Sequence, residues 1–167
     1  MKVKYPDVKS DNEAFYFIID HLKKQNAQAI NPVRGEGCQY KILDVYDTLK
    51  CAIGSLIDDS EYGDDLEDKI MEIDGVVYHA VDNSNPDWHM NEDSVEMLIA
   101  MQRLHDEVQV KNWFWLFLII EMAIEEFGFE NVVYAQGYSR SALYAMVTMA
   151  QGYMTPNDNR LKEWNFS

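Results

Sequence analysis

From Trp113 to Ile120 the chain runs eight residues without a polar side chain, and Glu121 is the first interruption. Apolar character continues to Phe127, and Gly128 follows, the residue type that most readily closes a helix. A helix apolar on nearly every side belongs inside a core, so 113–127 is expected to be a central buried helix. Eight residues fall far short of the roughly twenty that a membrane span requires. The other elements must therefore be arranged around this one.

Three further helices are legible. Ser10 and Glu13 have capping-box spacing, and Phe15, Ile18, Ile19 and Leu22 then share one helical face. Lys23 and Lys24 suit the negative end of that helix, and Asn31-Pro32 stops it. A second helix begins near Asp93, with Glu96 at capping-box spacing, and carries Val95, Leu98, Ile99, Met101, Leu104 and Val108. Ser139 or Ser141 opens a last one, Ala142 to Ala150, before Gly152 and Pro156. Leu161, Trp164 and Phe166 are the apolar residues of a polar tail and are candidates to dock.

Between the first two helices the periodicity changes. Tyr40, Ile42 and Val45-Tyr46 predict short hairpin strands with Asp44 near the turn, and Asp74-Gly75 predicts a second hairpin between Met71 and Tyr78. Lys50 to Ile57 reads as a short helix or a strand-to-helix junction. Its Ala52, Gly54 and Ser55 permit close backbone approach, whereas Gly54 inside a helix would cost about 1 kcal/mol. Asp82 to Asn91, with Pro86, Trp88 and His89, reads as a partner-facing loop. The expected fold class is α+β and mostly helical: four to five helices around the 113–127 helix, with one or two small β-hairpins, in one domain spanning 1–167.

Charge narrows the function classes. The chain carries 29 acidic and 14 basic side chains, a net charge of −15. Such a chain lacks the basic face that displaces counterions from phosphates, so direct nucleic-acid binding is not expected. A basic protein surface is the natural partner. Cys38 and Cys51 are too few for a disulfide framework, and no apolar stretch follows Met1 to Pro6 as in a secretory signal. Free thiols in a reducing cytoplasm are the expectation.

The acidic stretch is the first candidate site. Asp58, Asp59, Glu61, Asp64, Asp65, Glu67 and Asp68 place seven carboxylates in eleven residues. Counted from Asp58, Gly63 falls sixth as in a calcium loop, but Ser60 and Tyr62 stand third and fifth and Lys69 twelfth, where a bidentate Glu is required. An acidic contact surface remains. Cys51, His105 and Asp106 form the second candidate, since a thiolate nucleophile needs an imidazole and a carboxylate can orient it. No protease or transferase signature surrounds Cys51, and His105 falls on the apolar face of its helix. Zinc on Cys38, Cys51 and His105 matches no standard knuckle spacing, so no metal or cofactor is expected. Gly35-Glu36-Gly37 lacks the Lys-Ser/Thr of a phosphate loop. Ser139, Arg140 and Ser141 at a helix start are the third candidate, for an anion or nucleotide, with Trp88 as a stacking platform.

The order of these pieces resembles a family of small uncharacterised proteins of bacteriophages and bacteria. The resemblance is carried by Cys38-x-Tyr40-Lys41, Lys50-Cys51-Ala52-Ile53-Gly54-x-Leu56-Ile57, Glu61-Tyr62, Gln102-x-Leu104-His105-Asp106 and Trp113. It covers roughly 14–128 and leaves 129–167 as a C-terminal helical extension, with 74–91 as an insertion. It implies a phage origin and no activity. The expected function is an acidic accessory protein that binds and inhibits a host (defence) protein. Sequestration of a nucleotide signal, possible homo-oligomer formation included, and a Cys51–His105 hydrolase are the alternatives.

Overall fold

Ser10 caps the first helix: its Oγ accepts from the Glu13 amide at 3.1 Å. The Glu13 carboxylate reaches one residue further back than a capping box would and accepts from the Lys9 amide. Asp11 and Glu13 sit at the positive end of the helix dipole, Lys23 and Lys24 at the negative end. This helix, α1 (Asp11–Gln25), buries Ala14, Phe15, Ile18, Ile19 and Leu22. The computed structural model describes residues 6–29, 39–43, 48–67, 69–137 and 140–151. Asn31-Pro32, Cys38, Asp44, Val45-Tyr46, Asp68, Ser139, Gly152, Pro156 and the apolar tail residues lie outside them.

The described residues are mostly helical. After α1 come α2 (Val76–Ser84), α3 (Glu92–Glu107), α4 (Val110–Phe127), α5 (Phe129–Val133) and α6 (Ala142–Ala150), one helix more than expected. Strands β1 (Lys41–Leu43) and β2 (Thr48–Lys50) form one antiparallel ladder, with Lys41 opposite Lys50 and Ile42 opposite Leu49. Two 3₁₀ turns follow, Gly54–Leu56 and Asp64–Leu66.

The second predicted hairpin is replaced by a helix. Asp74 takes a left-handed φ of 60°, the Gly75 amide donates to the Glu72 carbonyl, and Gly75 becomes the N-cap of α2. Asp-Gly chemistry serves a helix entry as well as a hairpin. Val77, Ala80, Val81 and Ser84 then share the buried face, which decides for the helix. The expected partner-facing loop is also shorter than the sequence implies, because 82–84 belong to α2 and Trp88 is buried. α3 is capped by Asn91, which accepts from the Ser94 amide while its own amide donates to Ser94 Oγ. Ser94 takes the reciprocal position expected of Glu96 two residues on.

α4 is not the central buried helix. It buries Asn112, Trp113, Leu116, Phe117, Ile120 and Ala123 against α1, α5 and α6, but Phe114, Trp115, Leu118 and Met122 point outward. Among the described residues its main neighbours lie on one side. The better enclosed helix is α3, which packs on α1 and α6 and buries Val95, Met97, Leu98, Ala100, Met101, Leu104 and His105.

The Lys50–Ile57 segment is a strand end followed by a 3₁₀ turn. A Cβ on Gly54 would lie 2.0 Å from the Tyr40 carbonyl oxygen, so only glycine admits this approach of two backbones. On the other side, Gln25 Oε1 accepts from the Lys50 amide at 2.8 Å, and Gln25 Nε2 and His21 Nε2 donate to the Lys50 carbonyl at 2.9 and 3.0 Å. Buried Asn85 ties this region down: its Nδ2 donates to the Leu56 carbonyl and its Oδ1 accepts from the Val8 amide.

Candidate functional site

His105 and Asp106 are bonded to each other, and the Asp106 charge reaches Cys51, but the arrangement is structural. Cys51 is fully buried, and the Gly54 amide donates to its Sγ at 3.3 Å. That bond favours the thiolate, but burial outweighs it, and the nearby Asp106 charge adds to burial; the thiol is pushed up to about 12. His105 has no exposed surface. The Ala29 amide donates to its Nε2 at 3.1 Å, which leaves Nδ1 to carry the hydrogen donated to Asp106 Oδ1 at 2.8 Å. Both ring nitrogens are thus engaged and none is left for the sulfur. The ring packs on Trp113, whose Nε1 donates to the Val108 carbonyl. In this arrangement Cys51 is closed to solvent and His105 offers it no free ring nitrogen.

Residues of the sequence motifs do converge, through Gln102. Its Oε1 accepts from the Ile53 amide at 3.1 Å and its Nε2 donates to Asp106 Oδ1 at 2.7 Å, so the segment around Cys51 is joined to the end of α3. Tyr40, Ile53, Ile99, Gln102 and Asp106 line a cleft of about 440 Å³ there. Among the described residues no group of His, Cys, Asp and Glu is placed to hold a metal ion.

The acidic stretch divides into residues used by the fold and residues left outside. Asp58 is buried, and its Oδ1 accepts from the Ser60 amide and hydroxyl, closing a turn. Glu67 accepts from the Tyr40 amide and the Tyr62 hydroxyl. Asp59 is paired with Lys41 at 2.9 Å and Lys50 at 3.1 Å, and the Lys41 bond, helped by Lys50, holds its carboxyl below the usual range. Glu61, Asp64 and Asp65 remain exposed, Glu61 accepting from Asn83. The Asp64–Leu66 turn packs against α2, and exposed Glu72 and Asp74 precede that helix. Sequence reasoning stopped at Asp68 and missed these two; counting carboxylates on to Asp82 would have found them.

The anion candidate is only half assembled. Ser141 is the N-cap of α6 and its hydroxyl is committed to the Tyr144 amide. The Arg140 guanidinium is exposed and lies 4.2 Å from the Tyr144 ring centre, with that of Arg103 at 4.6 Å from the same ring. A cavity of about 400 Å³ adjoins Arg140, but Glu96 lines it too. Trp88 is elsewhere: it is buried, its Nε1 donating to Asp11. Among the described residues no helix is long and apolar enough to cross a membrane. Set against family models, curated proteins and solved structures, the chain matches none of them, and the family resemblance rests on its motif order alone.

Proposed function

We propose that the chain acts by binding and not by catalysis, as a phage-type accessory protein that covers a basic surface of a host protein and inhibits it. The observation that carries this reading is the imbalance between Asp58 and Asp82, where ten carboxylates stand against Lys69 alone. Asp59, Glu61, Asp64, Asp65, Glu72 and Asp74 are exposed within it. Two neighbouring phenols, already raised by burial, are raised further by carboxylates of this stretch. Tyr62 is raised by burial and then by Glu67 and Asp64, and Tyr78 by burial and then by Asp82 and Asp74. A face of one sign speeds encounter with a basic protein and disfavours phosphate backbones. Asp59 is already neutralised by two lysines, so the contacts fall to Glu61, Asp64, Asp65, Glu72 and Asp74.

The test is comparative capture from host lysate by the full chain and by a Glu61→Lys/Asp64→Lys/Asp65→Lys variant. A specific partner is retained by the unmodified chain at low salt, is released by about 0.5 M salt, and is not retained by the variant. The purified partner then loses activity when the chain is added. Retention that ignores both salt and charge reversal would show that the acidic face is not the contact.

A further inference from the structure

We infer that the outer face of α4 joins two copies of this chain, antiparallel, with the twofold axis at Leu118. The inference rests on α4 and is independent of the acidic face. Four large apolar side chains stand in water there: Phe114 is 53% exposed, Trp115 41%, Leu118 48% and Met122 59%. Side chains of this size leave on the order of 400 Å² of apolar surface, as much as the largest patch on a typical monomer.

The pattern names the occupant. Lys111, Trp115, Leu118, Met122 and Glu125 are spaced alternately by four and three, the interval that keeps one stripe against a partner helix. The two charged ends of that stripe are complementary to each other. With Leu118 on the axis, Lys111 lies opposite the partner's Glu125, seven residues to either side, and the Phe114–Trp115 end of the apolar patch meets the Met122 end of the partner's. Lys111 and Glu125 are both exposed and have no charged partner among the described residues. Glu121, by contrast, is held by Lys23 at 3.3 Å within the chain. A parallel pair would set Lys111 against Lys111 and Glu125 against Glu125, so charge selects the antiparallel arrangement. α4 packs inward on α1, α5 and α6, whereas the Asp64–Leu66 turn packs on α2.

A specific interface takes about 800 Å² from each partner, and the four apolar side chains supply about half of it. A dimer with a micromolar dissociation constant is therefore expected. Sedimentation of the full chain between about 1 and about 100 μM tests this, with circular dichroism as the check on folding. The unmodified chain shows a monomer–dimer equilibrium in that range. Leu118→Glu, at an exposed position, sets two carboxylates together on the axis and raises the dissociation constant at least about 100-fold. Lys111→Glu weakens the dimer about tenfold, and Lys111→Glu combined with Glu125→Lys restores it. A chain that stays monomeric throughout, or an unchanged constant in Leu118→Glu, overturns the inference. Failure of the double reversal to recover what Lys111→Glu loses overturns the antiparallel register.

Discussion

At Cys51 two local influences oppose each other, the Gly54 amide lowering the thiol and burial raising it, and burial wins. A thiol near 12 is about one part in a thousand thiolate at pH 9, and the sulfur has no path to solvent. Iodoacetamide at about pH 9 is therefore expected to leave Cys51 unlabelled in the folded chain and to label it once guanidinium unfolds the protein, as read by peptide mass mapping. Labelling of native Cys51 at the rate of a free thiol would contradict this burial and reopen a nucleophilic role. The close approach at Gly54 and the inward face of His105 were legible in the sequence, because small residues and an apolar helical face are local signals. Their partners were not. The amide that fixes the His105 ring belongs to Ala29, 76 residues away, and no spacing rule reaches that far.

Between elements, one polar tie runs through Asp11 in the first turn of α1. One carboxylate oxygen accepts from Trp88 Nε1 at 2.8 Å and from Ser94 Oγ at 2.7 Å, and the other accepts from the Tyr134 hydroxyl at 2.6 Å. It thereby joins α1 to the segment before α3, to the start of α3 and to the end of α5. Burial and then the bond to Asp11 raise the Tyr134 phenol. Removing the carboxylate leaves the donors of buried Trp88 and Ser94 without it, at a cost of about 3 kcal/mol. Asp11→Ala is expected to lower Tm by about 10 °C, and Asp11→Asn, which keeps one acceptor, by about half as much, in thermal unfolding followed by circular dichroism. Equal, negligible losses in both variants would show that the tie does not hold the elements together. Caps made the starts of α1 and α6 readable from the sequence. The entry to α2 was not, because Asp74-Gly75 fits two structures. The outer face of α4 was not either, because a segment apolar all round has no periodicity from which to read a side.

Over the whole molecule, the excess of carboxylates suggests a protein that loses stability only in strong acid, but His21 predicts an earlier loss. Burial, with the Lys50 charge, holds its imidazole below the ordinary 6.5 despite the bond to the Lys50 carbonyl. Between the two values the unfolded chain binds the proton that the folded chain refuses, so stability present above about 6.5 is lost as pH falls through that window. Tm is expected to be level from about pH 8 to 7 and to decline from about 6.5 downward, and His21→Gln, neutral at every pH, to decline less. The same decline in both chains would assign the loss to other groups. The contact that places His21 also includes Gln25, whose carboxamide gives the Lys50 peptide one donor and one acceptor. Those are the two groups that an adjoining strand would present. One side chain of a helix thus stands in for a third strand at this point. An extended segment from another molecule finds the sheet edge at Lys50 already occupied, which blocks the strand-to-strand growth that open edges invite.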